Sequence, residues 1–156
     1  MQRVALITGA SRGLGAVIAR VLAERGDDLV IGARDAGPLN LVAESLRQHG
    51  RTIVTVAGDV TDPSVRARLV DAARELGGLD LLVNNASELG VIGPLASVDI
   101  TRFARVMQVN AGAPLALMQR AIPLLAERRG LIVNISSDAA NGAYPGTEGQ
   151  AAELRI

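Results

Sequence analysis

Three glycines, Gly9, Gly13 and Gly15, stand between an apolar run, Val4 to Ile7, and a stretch that sets Leu14, Val17, Ile18, Val21 and Leu22 at helical spacing. The run reads as a buried strand and the spacing as a helix face. A strand that turns into a helix through glycines aims backbone N–H groups and the positive end of the helix dipole at one point. Such a point suits a phosphate or pyrophosphate. Gly9 allows a tight turn, Gly13 lets backbone approach a ligand, and Gly15 lets the helix lie close to the strand. Three residues separate the first two glycines, against the single residue of the usual GxGxxG fingerprint. The competing reading is an ordinary strand–helix turn.

Strand-like and helix-like segments then alternate. Strands are expected at about Arg3–Thr8, Asp28–Ala33, Thr52–Ala57, Leu79–Asn84 and Leu131–Ser136. The first helix runs to about Arg25 and the second from Pro38 to about Gln48. Asp62 caps a third, with Pro63 in its first turn and Val65, Leu69, Val70, Ala73 and Leu76 as its buried stripe. Asp99 to about Glu127 is a long helical region interrupted near Gly112 and Pro114. Right-handed crossovers turn this string into an α/β fold, a Rossmann-type doubly wound parallel sheet ordered 3-2-1-4-5. The order reverses between strands one and four. The glycine turn and Asn84-Asn85-Ala86-Ser87 therefore meet in one crevice. Residues 1–140 form the nucleotide-binding domain, and 141–156, rich in turn residues, form an irregular tail.

Composition excludes several classes. The 16 basic residues balance 16 acidic ones, so no basic field gathers nucleic acid. Without cysteine there are no disulfides and no thiolate metal sites, and no metal is expected. No apolar run is long enough to span a membrane. The first strand begins almost at Met1, which argues against a signal peptide and for a cytoplasmic protein. All 16 basic residues are arginine, so no lysine ammonium is available from this sequence.

Thr8 to Gly15 (TGASRGLG), Asp59-Val60 after strand three, NNAS at 84–87, Asn110, and IVNISS at 132–137 occur together in this order. In these motifs the chain resembles the short-chain dehydrogenases/reductases, over nearly all of residues 1 to about 146. The resemblance implies hydride transfer between a nicotinamide cofactor and a small alcohol or carbonyl substrate. It implies that Gly9, Gly13 and Gly15 line the dinucleotide phosphates, with Ser11, Arg12 and Leu14 of the same turn in the cofactor site. Asp59 and Val60 would lie beside the adenine, and Asn85 and Ala86 would support the adenosine side and the central strand. Asn110 would hold a water of the proton relay. Ser137, in preference to Ser136, would bond the substrate oxygen. Structural readings stand beside these. Asp59 could cap a turn, Asn84 and Asn85 could satisfy loop backbone, Asn110 could bend its helix, and the serines could merely end a strand. His49, before Gly50, reads as a solvated surface residue.

The resemblance implies NADP(H) over NAD(H). Arg34 follows strand two and Arg12 lies in the glycine turn, and two arginines suit a 2′-phosphate. Asp35 is the competing NAD-selecting acid, but it sits late and fits the N-cap of the next helix. Family enzymes also use a Tyr-x-x-x-Lys pair about a dozen residues after the serine, the tyrosine being the general acid/base. The one tyrosine, Tyr144, comes seven residues after Ser137 and has no lysine behind it. It is assigned to a loop rather than to catalysis. The chain is thus expected to lack the family's last strands and its Tyr/Lys helix and to be catalytically incomplete. The alternatives are a non-enzymatic nucleotide-binding or regulatory module, or a truncated or decayed product. The long helix 99–127 is the candidate surface for a homo-oligomer.

Overall fold

The computed structural model describes residues 2–90 and 94–137; the expected irregular tail, Tyr144 included, lies outside them. Five parallel strands form one sheet in the order β3-β2-β1-β4-β5, as the crossover argument requires. They are β1 Val4–Thr8, β2 Asp28–Ala33, β3 Ile53–Ala57, β4 Leu81–Asn84 and β5 Leu131–Asn134. The central strand β1 is buried along its whole length, which is why its sequence is continuously apolar rather than alternating. Val4 and Leu6 face one core with Leu69, Leu82, Leu117 and Leu124. Ala5 and Ile7 face the other with Leu29, Ile31, Leu39 and Leu46. The period of two along β1 therefore distributes the helices over both faces. α1 Gly13–Glu24 and α2 Ala36–Arg47 pack on one side, and α3 Pro63–Glu75 and α5 Ala113–Arg128 on the other.

Helix α1 buries only part of the face its large apolar residues suggest: Leu22 is buried and Ile18 packs against the core. Gly15, Ala19, Leu22 and Ala23 are buried, whereas Leu14, Val17 and Val21 are exposed. Small residues win this face because they let the helix axis approach the sheet closely. α2 begins at Ala36, two residues before the expected Pro38, which then occupies the first turn, where a missing N–H costs nothing. Asp35 holds the N-cap position, but its side chain makes no capping bond. Asp62 does cap α3, accepting from the Ser64 N–H at 2.7 Å. The long helical region is two helices, α4 Ile100–Met107 and α5, joined by a π-helical turn at Gln108–Gly112. Pro114 has no N–H to offer the carbonyl of Asn110 four residues back, a local reason for the α register to fail there. Leu115 and Ile122 of α5 point outward, and every residue of β5 is exposed. Among the described residues no helix is long and apolar enough to cross a membrane.

Candidate cofactor cleft and active site

The carboxyl ends of β1 and β4 are stitched together by Thr8. Its hydroxyl accepts from the N–H groups of Asn85 and Ala86 at 3.1 and 3.0 Å and lies 3.4 Å from the Val83 carbonyl. The Asn85 amide in turn donates to the carbonyls of Thr8 and Gly9, at 2.9 and 3.1 Å. Asn84 is buried and donates to the Asn134 side chain at 2.8 Å, joining β4 to β5. The two motifs expected to converge do so, through hydrogen bonds between residues more than 70 positions apart. Thr8 is the residue that sequence reasoning passed over, although it heads the motif. A polar residue closing an otherwise apolar strand was the available signal.

Two glycines of the turn are required by what surrounds them. Gly9 has φ +67°, and a Cβ there would lie 2.8 Å from the Ala86 Cα. A Cβ on Gly15 would lie 2.5 Å from the Asn85 amide nitrogen and still closer to the Gly9 carbonyl oxygen. Gly13, with φ +55°, has open space before it. The N-terminus of α1 carries no side-chain cap and no acidic residue in its first turn. Its leading N–H groups and its dipole are thus left to a ligand. This end opens into a cleft of about 860 Å³, within the usual range of cofactor sites. Gly9, Ser11, Arg12, Gly13, Leu14, Arg34, Asp59, Val60, Asn85, Ala86, Asn110 and Ser137 all line it, with Ser136 beside them. Gly15 lies behind the turn as a packing residue.

One wall of the cleft is an ion-pair network. Asp59 accepts from the N–H and hydroxyl of Thr61, both at 2.8 Å, and from Arg105 Nη2 at 2.6 Å. Burial alone would push its carboxyl up, but the bonds from Thr61 and Arg105 outweigh this and hold it below its ordinary value. The hydrogen bond to Asp59 raises Arg105 correspondingly. Arg105 also reaches Glu88 through Nε at 3.3 Å and Thr61 through Nη1 at 2.9 Å. Glu88 meets Arg102 at 3.8 Å and Arg34 at 4.0 Å. Neither Glu88 nor Arg105 stands out in the sequence as a site residue. Arg12 has no ion pair among the described residues, and its exposed side chain lines the same cleft.

Asn110 sits in the π turn, and its side chain spans the backbone of Glu88. Its Oδ1 accepts from the Glu88 N–H at 2.9 Å, and its Nδ2 donates to the Glu88 carbonyl at 3.0 Å. It thereby fixes the loop after β4 against the long helical region. Ser136 and Ser137 follow β5 at the open end of the cleft and are exposed. His49 is exposed, as expected.

Residues 3–152 match the short chain dehydrogenase family. The chain belongs to that family. It is 41% identical over 138 residues to cis-4-hydroxycyclohexanecarboxylate dehydrogenase of Sinomonas cyclohexanicum, covering 87% of this chain and 55% of the relative. An alcohol dehydrogenase from the archaeon Thermococcus sibiricus, solved with 5-hydroxy-NADP, superposes with a TM-score of 0.93 at 29% identity, over 99% of this chain and 66% of that one. NAD+-bound xylitol dehydrogenase superposes with a TM-score of 0.92 at 26% identity, over 98% and 60%. The short-chain dehydrogenase relatives are oxidoreductases, and the two solved ones carry different nicotinamide cofactors. The chain spans about half the length of the curated relatives it matches.

Proposed function

We propose that the chain is the nucleotide-binding part of an NADP(H)-dependent oxidoreductase acting on a small alcohol or carbonyl compound. The observation that carries this reading is the uncapped N-terminus of α1, opening on the same cleft as Arg12 and Arg34. The backbone N–H groups at Gly13 and Leu14 would hold the pyrophosphate, with Ser11 beside them. Gly13 supports this fit, because the space in front of it is open. Arg12 and Arg34 would meet the 2′-phosphate, a dianion suited to two guanidiniums. Val60, Asp59, Asn85 and Ala86 would enclose the adenosine. When bound, the cofactor supplies or accepts the hydride. Ser137 would orient the substrate oxygen by a hydrogen bond, and Asn110 holds the loop that borders it. Self-association would use the exposed apolar surface of residues 99–127.

A second reading, nucleotide binding without turnover, draws on composition. No lysine is present, and Tyr144 is the only tyrosine. These residues therefore cannot provide the Tyr/Lys pair that delivers a proton in the family.

Calorimetric titration tests the cofactor assignment. NADPH should bind more tightly than NADH. Arg34→Ala should cost NADPH about 1–3 kcal/mol, the usual range for a lost charged hydrogen bond, and leave NADH nearly unchanged. Equal affinities in the wild type would overturn the assignment.

A further inference from the structure

Glu88 stands among three guanidiniums, and they hold it unequally. Arg105 is the firm partner. It is only 32% exposed, lies 3.3 Å from Glu88, and is itself pinned by Asp59 at 2.6 Å. Arg102 lies 3.8 Å away on the other carboxylate oxygen. Arg34 is the loosest, at 4.0 Å, with 61% of its side chain exposed. The Glu88 side chain is 18% exposed; Asn110 holds its backbone at both the N–H and the carbonyl, and Arg105 and Arg102 hold its carboxylate. Among the described residues, Glu88 is the only acid that pairs with Arg34, and both line the cleft.

We infer that Glu88 is a specificity-determining residue: its carboxylate competes with the cofactor's 2′-phosphate for Arg34. This rests on the NADP(H) reading above. A phosphate arriving at Arg34 competes with a carboxylate already paired with that guanidinium, and it arrives near a second negative charge. The exchange leaves Glu88 with Arg105 and Arg102, so no buried charge is stranded, and Arg34 is the one partner that can leave. A cofactor bearing a 2′-hydroxyl makes no such demand, and the Arg34–Glu88 pair persists beside it. Glu88 therefore narrows the preference that Arg12 and Arg34 create. An adjacent acid restrains an otherwise strongly phosphate-selective site.

The test compares Glu88→Gln with the wild type by titration of NADPH and NADH, with thermal midpoints confirming folding. NADPH affinity should rise about three- to tenfold, from loss of the competing pair and of the like-charge repulsion. NADH affinity should change less than about twofold. In an Arg34→Ala background the gain from Glu88→Gln should disappear. A folded Glu88→Gln with unchanged or weaker NADPH binding, or an equal gain for both cofactors, overturns the inference. If instead Arg34→Ala does not affect NADPH, it is the NADP(H) reading itself that fails. Should Glu88→Gln not fold, wild-type crystals with each cofactor decide. Arg34 should leave Glu88 when NADP+ is bound and stay when NAD+ is bound. Retention of the pair with NADP+ sinks the idea.

Discussion

Asp59 carries two duties in one side chain, and its bond to Arg105 belongs to neither reading of its sequence. It closes a short turn with Thr61, as the structural reading anticipates, and it also lines the cleft and anchors Arg105. Its carboxyl titrates below the ordinary value, so its stabilising contribution is complete above about pH 4 and is lost as pH falls through the native value. Asp59→Asn should therefore lower the urea midpoint at neutral pH, and the gap to wild type should close as pH falls below about 4. The effect should stay under about 1 kcal/mol, because the side chain is 38% exposed and solvent screens the pair. A gap independent of pH from 7 to 3 would show that the ion pair contributes nothing. Arg34 and Arg12 were readable as cations facing one crevice because Arg34 follows β2 and Arg12 lies in the glycine turn. That Arg34 already has an acidic partner was not readable, because nothing local announces Glu88.

At the level of elements, local signals served best where a single segment decides the outcome. Asp62 with Pro63 starts a helix by its own chemistry, and it does so here. The face of α1 needed more than its own periodicity, because the closeness of the sheet favours Gly15 and Ala19 over Leu14 and Val17. Gly112 and Pro114 marked the interruption of the long helical region, but the π turn that carries Asn110 emerged only in the folded chain. The outer face of α5 exposes Leu115 and Ile122, and β5 exposes Leu131, Ile132 and Val133 along an edge of the sheet. Apolar surface and unpaired strand edges both favour association. The chain should sediment as dimers or larger species at micromolar concentration, and Leu115→Glu with Ile122→Glu should shift it toward monomer. A wild type that stays monomeric over that range contradicts the expectation.

At the largest scale, the proposed function turns on whether a cleft of this shape can support turnover without a tuned acid. Reduction of a carbonyl requires a proton for the developing alkoxide, and general acid–base catalysis contributes roughly 10²–10⁴-fold. Ser137 can orient the oxygen, but a serine is not an acid suited to neutral pH. These 156 residues alone should therefore show no robust NADPH-dependent reduction across a panel of ketones, aldehydes and quinones, followed by loss of NADPH absorbance. Turnover of about 1 s⁻¹ that disappears in Tyr144→Phe would overturn this and make Tyr144 the acid. The sequence by itself determined the strand order, because apolar runs, crossover handedness and chain order leave few topologies. It also marked Gly9 and Gly15 as positions of close approach, but the neighbours that crowd them, Ala86 and Asn85, come from the far end of β4. Which arginine meets which acid among the described residues was decided by the fold alone. The Arg105–Asp59 and Arg105–Glu88 contacts join positions 46 and 17 residues apart. An ion pair leaves no periodicity in a sequence, and its partners meet only when β3, β4 and α4 are folded against one another.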